Sequence, residues 1–316
     1  MTELRTDPQT AARNGTDRPP APEDFYGELT RRNAGVVTGA QQEVLRTATV
    51  LIAGCGSIGG AAVVPLARMG VQHFLLADSG EYELNNLNRQ HATVRDLGRN
   101  KAEVAAERIL EVNPHAEVRV FTEGVTAANA AELAGSCQIV VDGVDVTTMS
   151  GVRAKFQLHK RAAALRLPLV TGWDMAGALY AQYFDYRKIE KPFKGVITEG
   201  DLDRLSTWEL IFRMVPLRRI PTEMLAELSP NLENRTYSVP QVAYTAVLFG
   251  SIASHMVAKL LAGEEVREEV VLDVHRAVRP AAASSALLFR RPREARRMVQ
   301  ALALHRLRRL LGKKPT

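Results

Sequence analysis

Three glycines (Gly54, Gly56, Gly59), an acid at Asp78, two cations (Arg89, Lys101) and a second acid at Asp145 are the residues whose types and spacing suggest chemistry. The glycines stand in VLIAGCGSIGG, directly after a β-branched, non-alternating stretch over residues 49–53, the pattern of a parallel strand buried on both faces. Gly54 allows a tight turn, Gly56 lets backbone come close to a phosphate, and Gly59 lets a helix pack close to the strand, its N-terminus facing the phosphate. Asp78 closes a second apolar run, residues 73–77, and lies 22 residues beyond Gly56. A carboxylate at that place can accept hydrogen bonds from a ribose hydroxyl.

A dinucleotide site would use the glycines and Asp78 but leave Arg89 and Lys101 without work. Two cations after the ribose acid suit a triphosphate, because attack on its α-phosphorus builds negative charge that guanidinium and ammonium groups stabilise. Asn86, Asn88 and Gln90 surround Arg89 in the sequence as a hydrogen-bonding shell. A further apolar run over residues 138–141 ends in DGVD, placing Asp142 and Asp145 at the carboxyl edge of a parallel sheet, where open α/β sheets bind ligands. Asp145 has two readings, a magnesium ligand that bridges to phosphates or a turn cap, and Asp142 is as well suited to capping.

The elements that must hold these residues alternate. Helical patterns over 58–69, 101–112, 127–133 and 150–165 separate strand patterns over 49–53, 73–77, 115–121, 138–141 and 167–171. That order predicts an α/β fold: a Rossmann-like, doubly wound, mostly parallel sheet with helices on both faces and a C-terminal helical extension. Pro65 falls inside the first of these helices, where it removes a backbone hydrogen bond. The strand over 167–171 empties into GWDMAGALYAQYFDY, where Trp173 and Asp174 are candidates to face substrate, Trp173 also being a candidate core lid. Tyr180, Tyr183 and Phe184 read as packing on one more strand, and His159 on its helix has no assigned chemistry.

Residues 1–23 are poor in large apolar side chains and predict a disordered tail. The expected organisation continues with an adenine-nucleotide domain over 24–190, a crossover segment and returning helix over 191–265, and a basic extension over 266–316. From Pro280 to Thr316 there are eight Arg and two Lys against one Glu, a net +9, so the rest of the chain nets −3 of the overall +6. The body is therefore not itself a basic nucleic-acid surface. On a helical wheel Val299, Ala303, Leu304, Leu307, Leu310 and Leu311 share one face, flanked by Arg297, Arg306, Arg308 and Arg309. Such a helix can dock on an acidic partner, RNA, a membrane surface or its own dimer mate. No run approaches the roughly 20 apolar residues of a spanning helix. Two cysteines and no secretory signal fit a reducing cytoplasm. Cys55 reads as a small residue in a tight turn and Cys137 as core.

These residues together resemble the ThiF/MoeB superfamily, the adenylating fold shared with ubiquitin-activating enzymes. The likeness covers about residues 29–185 and, more weakly, 238–263. LTRRNAGVVTGAQQEVLRTATVLIAGCGSIGG is similar to the family's lead-in segment and nucleotide loop, and NNLNRQ followed by GRNKA is its most recognisable signature. The resemblance implies that Asp78 binds the ATP ribose, that Asn86, Arg89, Gln90 and Lys101 surround the phosphates, and that Asp145 organises magnesium. It further implies a homodimer in which Arg32 reaches the phosphates of the neighbouring subunit, and a mobile crossover over residues 186–237 that selects the substrate.

Departures from the pattern also inform. Where many members carry two aspartates one residue apart, this chain has Asp78 and Gly80. Cys55 and Cys137 fall short of the four thiolates of the family's structural zinc site, so no such zinc is expected. No cysteine follows Cys137, which argues against an enzyme thioester. The expected activity is ATP-dependent adenylation of a carboxylate on a carrier protein, a peptide, a small molecule or a modified tRNA, with pyrophosphate released. An NAD-dependent oxidoreductase and a catalytically silent scaffold of the same fold are the alternatives.

Overall fold

Strands that are apolar on both faces need helices on both, and the order of elements supplies them. The structure, a computed structural model, describes residues 2–4, 19–234 and 236–311. It begins with β1 (Thr2–Leu4), α1 (Pro22–Thr30) and α2 (Gly39–Thr47), followed by β2 (Thr49–Ala53) and α3 (Gly59–Met69). β3 (His73–Ala77), α4 (Lys101–Val112), β4 (Glu117–Phe121), α5 (Ala130–Gly135), β5 (Ile139–Asp142), α6 (Met149–Ala164) and β6 (Pro168–Met175) continue the alternation. β7 (Ala178–Asp185) folds back on β6, and a helical crossover follows as α7 (Asp201–Arg204), α8 (Thr207–Met214) and α9 (Thr222–Leu228). The chain then returns through α10 (Ala243–Leu261), β8 (Glu269–Asp273) and α11 (Val274–Val278) to the long α12 (Ala281–Leu310).

One mixed sheet runs in the order β1-β4-β3-β2-β5-β6-β7-β8. Its middle, from β4 to β6, is parallel, and β1, β7 and β8 join antiparallel. The strand order reverses between β2 and β5, so a crevice opens beyond their carboxyl ends. One face of the sheet packs on α3, α4 and α10, with Val50, Ile52, Phe74, Val141 and Phe249 in that core. The other packs on α6 and on the crossover helices through Leu51, Val140, Phe156, Leu210 and Leu225, with Met298 of α12 closing it.

Pro65 does not end α3. The proline lacks the N–H that would reach the carbonyl of Ala61, four residues back. At that carbonyl α10 makes its closest approach: a Cβ on Gly250 would lie 2.2 Å from Ala61 O and 3.4 Å from Pro65 Cγ. The missing hydrogen bond and the missing side chain thus fall at one helix crossing. By length and composition α10 is apolar enough to span a membrane, contrary to the sequence reading that no run approaches this length. It is instead a core helix, with Phe249, Ala253, Met256 and Val257 buried against the sheet and α3.

Two other expectations change. Thr2–Leu4 pairs with residues 118–120 of β4 as an edge strand and α1 starts at Pro22, so parts of the predicted tail take secondary structure; residues 1 and 5–18 lie outside the described residues. Glu269–Asp273, assigned to the basic extension, extends the sheet beside β7. Its EVVLD run is β-branched and short, as an edge strand permits.

Gly250→Ala is expected to lower stability by about 1–3 kcal/mol through overpacking at the α3–α10 crossing. The urea midpoint measures it, and an unchanged midpoint would contradict this packing.

Candidate active site at the carboxyl edge of the sheet

β2 ends at Gly54, whose φ of +82° suits glycine. A Cβ on Gly54 would stand 2.4 Å from Gly143 O, one on Gly59 would stand 1.9 Å from Gly54 O, and one on Gly143 would stand 2.4 Å from Gly59 N. The turns after β2 and β5 and the start of α3 therefore meet backbone to backbone. Gly56, by contrast, faces only the side chain of Gln90, at 3.7 Å from where its Cβ would be. The first turn of α3 has no side-chain cap; the Gly60 N–H donates to Gly56 O at 2.9 Å, and the remaining N–H groups of that turn are the ones open to an anion.

Asp78 fixes the glycine loop. Its Oδ2 accepts the Cys55 N–H at 2.6 Å and its Oδ1 the Gly80 N–H at 2.7 Å, leaving each oxygen a further lone pair. Burial raises its pKa, while those two N–H groups and Lys101 oppose the rise. Glycine at position 80 matters here, because a Cβ would press on Asp78 Oδ1 at 3.1 Å, with Lys101 Nζ in ordinary contact at 3.5 Å. Lys101 opens α4 behind Asn100, which caps the helix and donates from Nδ2 to Asp78 O at 2.9 Å. A cation in a first helical turn opposes the helix dipole, a local cost that suits a site for phosphate.

Asn86 is buried and shapes the turn that carries Arg89: its Oδ1 accepts the Glu83 N–H at 3.2 Å, and its carbonyl accepts the N–H groups of Arg89 and Gln90. Asn86, which the sequence placed around the phosphates, thus bonds within the turn that presents Arg89 and Gln90. Arg89 Nη1 donates to Asn85 O at 3.0 Å and Asn88 Oδ1 at 2.8 Å, and Asn88 Nδ2 in turn donates to Gln241 O at 3.0 Å. Arg89 Nε and Gln90 Oε1 are buried without a hydrogen-bond partner. Burial lowers the Arg89 pKa, and Asp174 and Asp145 act against that. Asp145 lies exposed after β5, its two oxygens accepting the N–H and hydroxyl of Thr147 at 2.9 and 2.8 Å.

Arg32 is the sequence-predicted site residue that is not brought to the others. It is exposed on the short turn Arg31–Asn33, and Asn33 donates to Met69 O at the far end of α3. One helix length, about 15 Å at 1.5 Å per residue, separates that end from the glycine loop.

Trp173 and Asp174 separate across the sheet. Trp173 donates to Gln182 Oε1 at 2.9 Å and covers Lys155, whose Nζ is 5.5 Å from the ring centroid, the contacts of a core lid. Asp174, 7% exposed, accepts from Thr245 Oγ1 at the start of α10, and its Oδ2 has no partner. Burial pushes its pKa up to about 6, against the pull of Thr245 and Arg89.

Sequence reasoning missed the network behind Asp145. Asp142 is fully buried and pairs with Lys155 Nζ at 2.6 Å and His159 Nε2 at 2.9 Å. The Tyr186 hydroxyl, 2.6 Å from His159 Nδ1, accepts the Phe193 N–H at 3.1 Å, and the Phe193 ring stacks on His159 at 3.8 Å. Lys155 and the hydrogen bond from His159 hold the Asp142 carboxyl below its ordinary range against burial, and burial keeps His159 below its own. The cluster ties the Asp142–Asp145 turn to the start of the crossover. A signal existed: Val152, Lys155, Phe156, His159 and Ala163 fall on one apolar face of α6. Burial also raises both thiols, Cys137 to about 12, which leaves Cys55 unreactive despite its helix N-terminus.

A family profile described as the ThiF family matches residues 30–277. The chain is 35% identical over 105 residues to the probable molybdopterin-synthase adenylyltransferase of Porphyra purpurea, covering 33% of this chain and 28% of that protein. It is 33% identical over 139 residues to the tRNA threonylcarbamoyladenosine dehydratase of Escherichia coli (strain K12), covering 43% and 50%. The chain spans half or less of the length of these curated relatives. Escherichia coli MccB, solved with ATP, shares the fold at a TM-score of 0.53 and 19% identity over 74% of this chain and 62% of that one.

A carboxyl whose folded pKa exceeds its unfolded value loses stability as pH rises between the two. For Asp174 that window runs from about 4, the ordinary Asp value, to about 6. Asp174→Asn is therefore expected to be more stable than the parent at pH 7, by up to roughly 3 kcal/mol, with the difference closing below about pH 4. Paired urea titrations check this, and a pH-independent difference would contradict it.

Proposed function

The chain belongs to the ThiF family, and from that premise we propose that it is an ATP-dependent adenylyltransferase that activates a substrate carboxylate. A carboxylate oxygen attacks the α-phosphorus of ATP, the bond from that phosphorus to the bridging oxygen breaks, and pyrophosphate leaves with the electron pair. The product is an acyl-adenylate, a mixed anhydride that a sulfur, amine or internal nucleophile can resolve. The observation that carries this reading is the pair of buried, unpartnered polar atoms, Arg89 Nε and Gln90 Oε1, with Gln90 set against the open side of Gly56. Buried donors and acceptors are costly unless something completes them, and a polyphosphate with a ribose presents both acceptors and donors.

In this reading the N–H groups of the glycine loop and of α3 hold phosphate, Asp78 offers its spare lone pairs to the ribose, and Gln90 orients the chain of phosphates. Arg89 and Lys101 stabilise charge as it develops on the transferring phosphoryl group. Asn86 acts one step back, by shaping the turn that aims Arg89. Magnesium fits Asp145, which is exposed and keeps lone pairs beyond its bonds to Thr147. Among the described residues no three His, Cys, Asp or Glu side chains gather, so Asp145 would hold the ion jointly with the phosphates, as magnesium sites commonly do. When bound, magnesium neutralises phosphate charge. A nicotinamide cofactor would not call on Arg89, Lys101 and Asp145 together.

The substrate is a carboxylate on a carrier protein or peptide, or on a modified small molecule or tRNA. MccB solved with MccA and a relative named as a tRNA dehydratase support that breadth rather than one choice within it. Arg32 is assigned to the phosphates of a second copy in a homodimer, because within one chain it sits at the far end of α3.

Arg32→Ala and Arg89→Ala are each expected to lose on the order of a hundredfold in pyrophosphate release from ATP with a pool of free-carboxyl peptides. Mixed and re-equilibrated in equal amounts, they should recover about a quarter of the parent rate, since half the dimers then hold one intact site. Full activity of Arg89→Ala alone would sink the adenylation site, and no recovery on mixing would sink the shared one.

A further inference from the structure

The helix whose apolar face stood out in the sequence does pack on its own protein, but with another face. Glu294, Met298 and His305 of α12 are buried, Arg291 donates to the carbonyls of Ile220, Leu217 and Arg218, and His305 reaches Glu233 and Ser206. The opposite side stays outside: Phe289 is 86% exposed and Leu310 71%, with Val299, Leu304 and Leu307 between them also exposed. At 1.5 Å per residue this stripe is about 30 Å long. Arg290, Arg293, Arg296 and Arg308 are exposed along it, and no ion pair or hydrogen bond occupies their side chains among the described residues. The acid of α12, Glu294, is turned inward.

We propose that the outward face of α12 is a docking surface for an anionic phospholipid bilayer. The charge of the face is one-signed, so its complement is anionic, and a second copy laid against it would bring arginine to arginine. The apolar side chains have no use on a nucleic acid backbone, whereas an interfacial helix buries such a stripe among acyl chains while its arginines reach headgroup phosphates. The face is the outward side of a single helix, a ridge of side chains bordered on one flank by the hollow that Leu302, Ala303 and Arg306 share with Leu205, Glu209 and Phe212. A deformable lipid surface accepts a ridge; a protein partner would have to supply a matching groove. Since α12 is pinned from behind, it can dock without leaving the body. The binding is independent of the nucleotide reading.

The test is co-sedimentation of the full chain with vesicles of phosphatidylcholine alone or mixed with phosphatidylglycerol, at low and high salt. The chain should pellet with the anionic vesicles, less so at high salt, and stay in solution with the neutral ones. Phe289→Glu combined with Leu307→Glu should abolish pelleting, and Arg293→Gln combined with Arg296→Gln should weaken it roughly fivefold for each arginine removed. Both variants change exposed positions, so their unfolding midpoints should match the parent. No pelleting with anionic vesicles, or pelleting that survives the Phe289/Leu307 pair, overturns the proposal. Binding to polyglutamate, or a concentration-dependent dimer, that is lost in that pair while vesicles do not bind assigns the face to an acidic protein or a second copy and equally overturns it.

Discussion

At the switch point of the sheet three stretches of backbone, at Gly54, Gly59 and Gly143, approach so closely that none can carry a side chain. Everything at the site hangs on this contact. It brings the turn after β2, the first turn of α3 and the turn after β5 to one place, so the glycine loop and the Asp142–Asp145 turn are held in fixed relation. Asp78 then pins the loop from the side through the Cys55 N–H. A parallel sheet alone would leave these loops near one another; the glycine contact leaves them in register.

Around that contact charge is arranged against the grain of burial. Asp78 and Asp174 are carboxyls pushed up by desolvation, and Arg89 is a guanidinium pushed down by it. Each is left with bonding capacity that its own chain does not use. By contrast the Asp142, Lys155 and His159 cluster is fully paired, and its work is mechanical: it couples the acidic turn to Phe193, where the crossover begins with positive φ at Phe193 and Lys194. Buried, paired charge fixes geometry, and buried, unpaired polarity awaits a ligand.

Much of this was legible in the sequence because it is local. β2 and β3 match their apolar runs residue for residue, bounded by Gly54 and Asp78. The residues from Gly54 to Lys101 lie on consecutive elements, so their meeting follows from the right-handed alternation of strand and helix. The buried cluster was not legible because its members come from β5, α6 and the segment after β7 that carries Tyr186 and Phe193, although Lys155 and His159 sit on the apolar face of α6. Trp173 and Asp174, adjacent in sequence, take opposite faces of β6, and a one-residue alternation decides which meets the site. The helical wheel of α12 identified its most apolar face, but that helix is anchored by Arg291 and His305 to carbonyls and acids, which an apolarity pattern does not register.

The central claim is that this site takes a triphosphate and not a nicotinamide dinucleotide. The most direct test is thermal unfolding of the full chain with Mg²⁺-ATP and, separately, with NAD⁺ and NADH. A ligand that binds the folded state alone adds about 2.7 kcal/mol of stability at a hundredfold excess over its dissociation constant. The account predicts a raised midpoint with Mg²⁺-ATP and none with either nicotinamide cofactor. Stabilisation by the nicotinamide cofactors alone, or by no nucleotide, would contradict it.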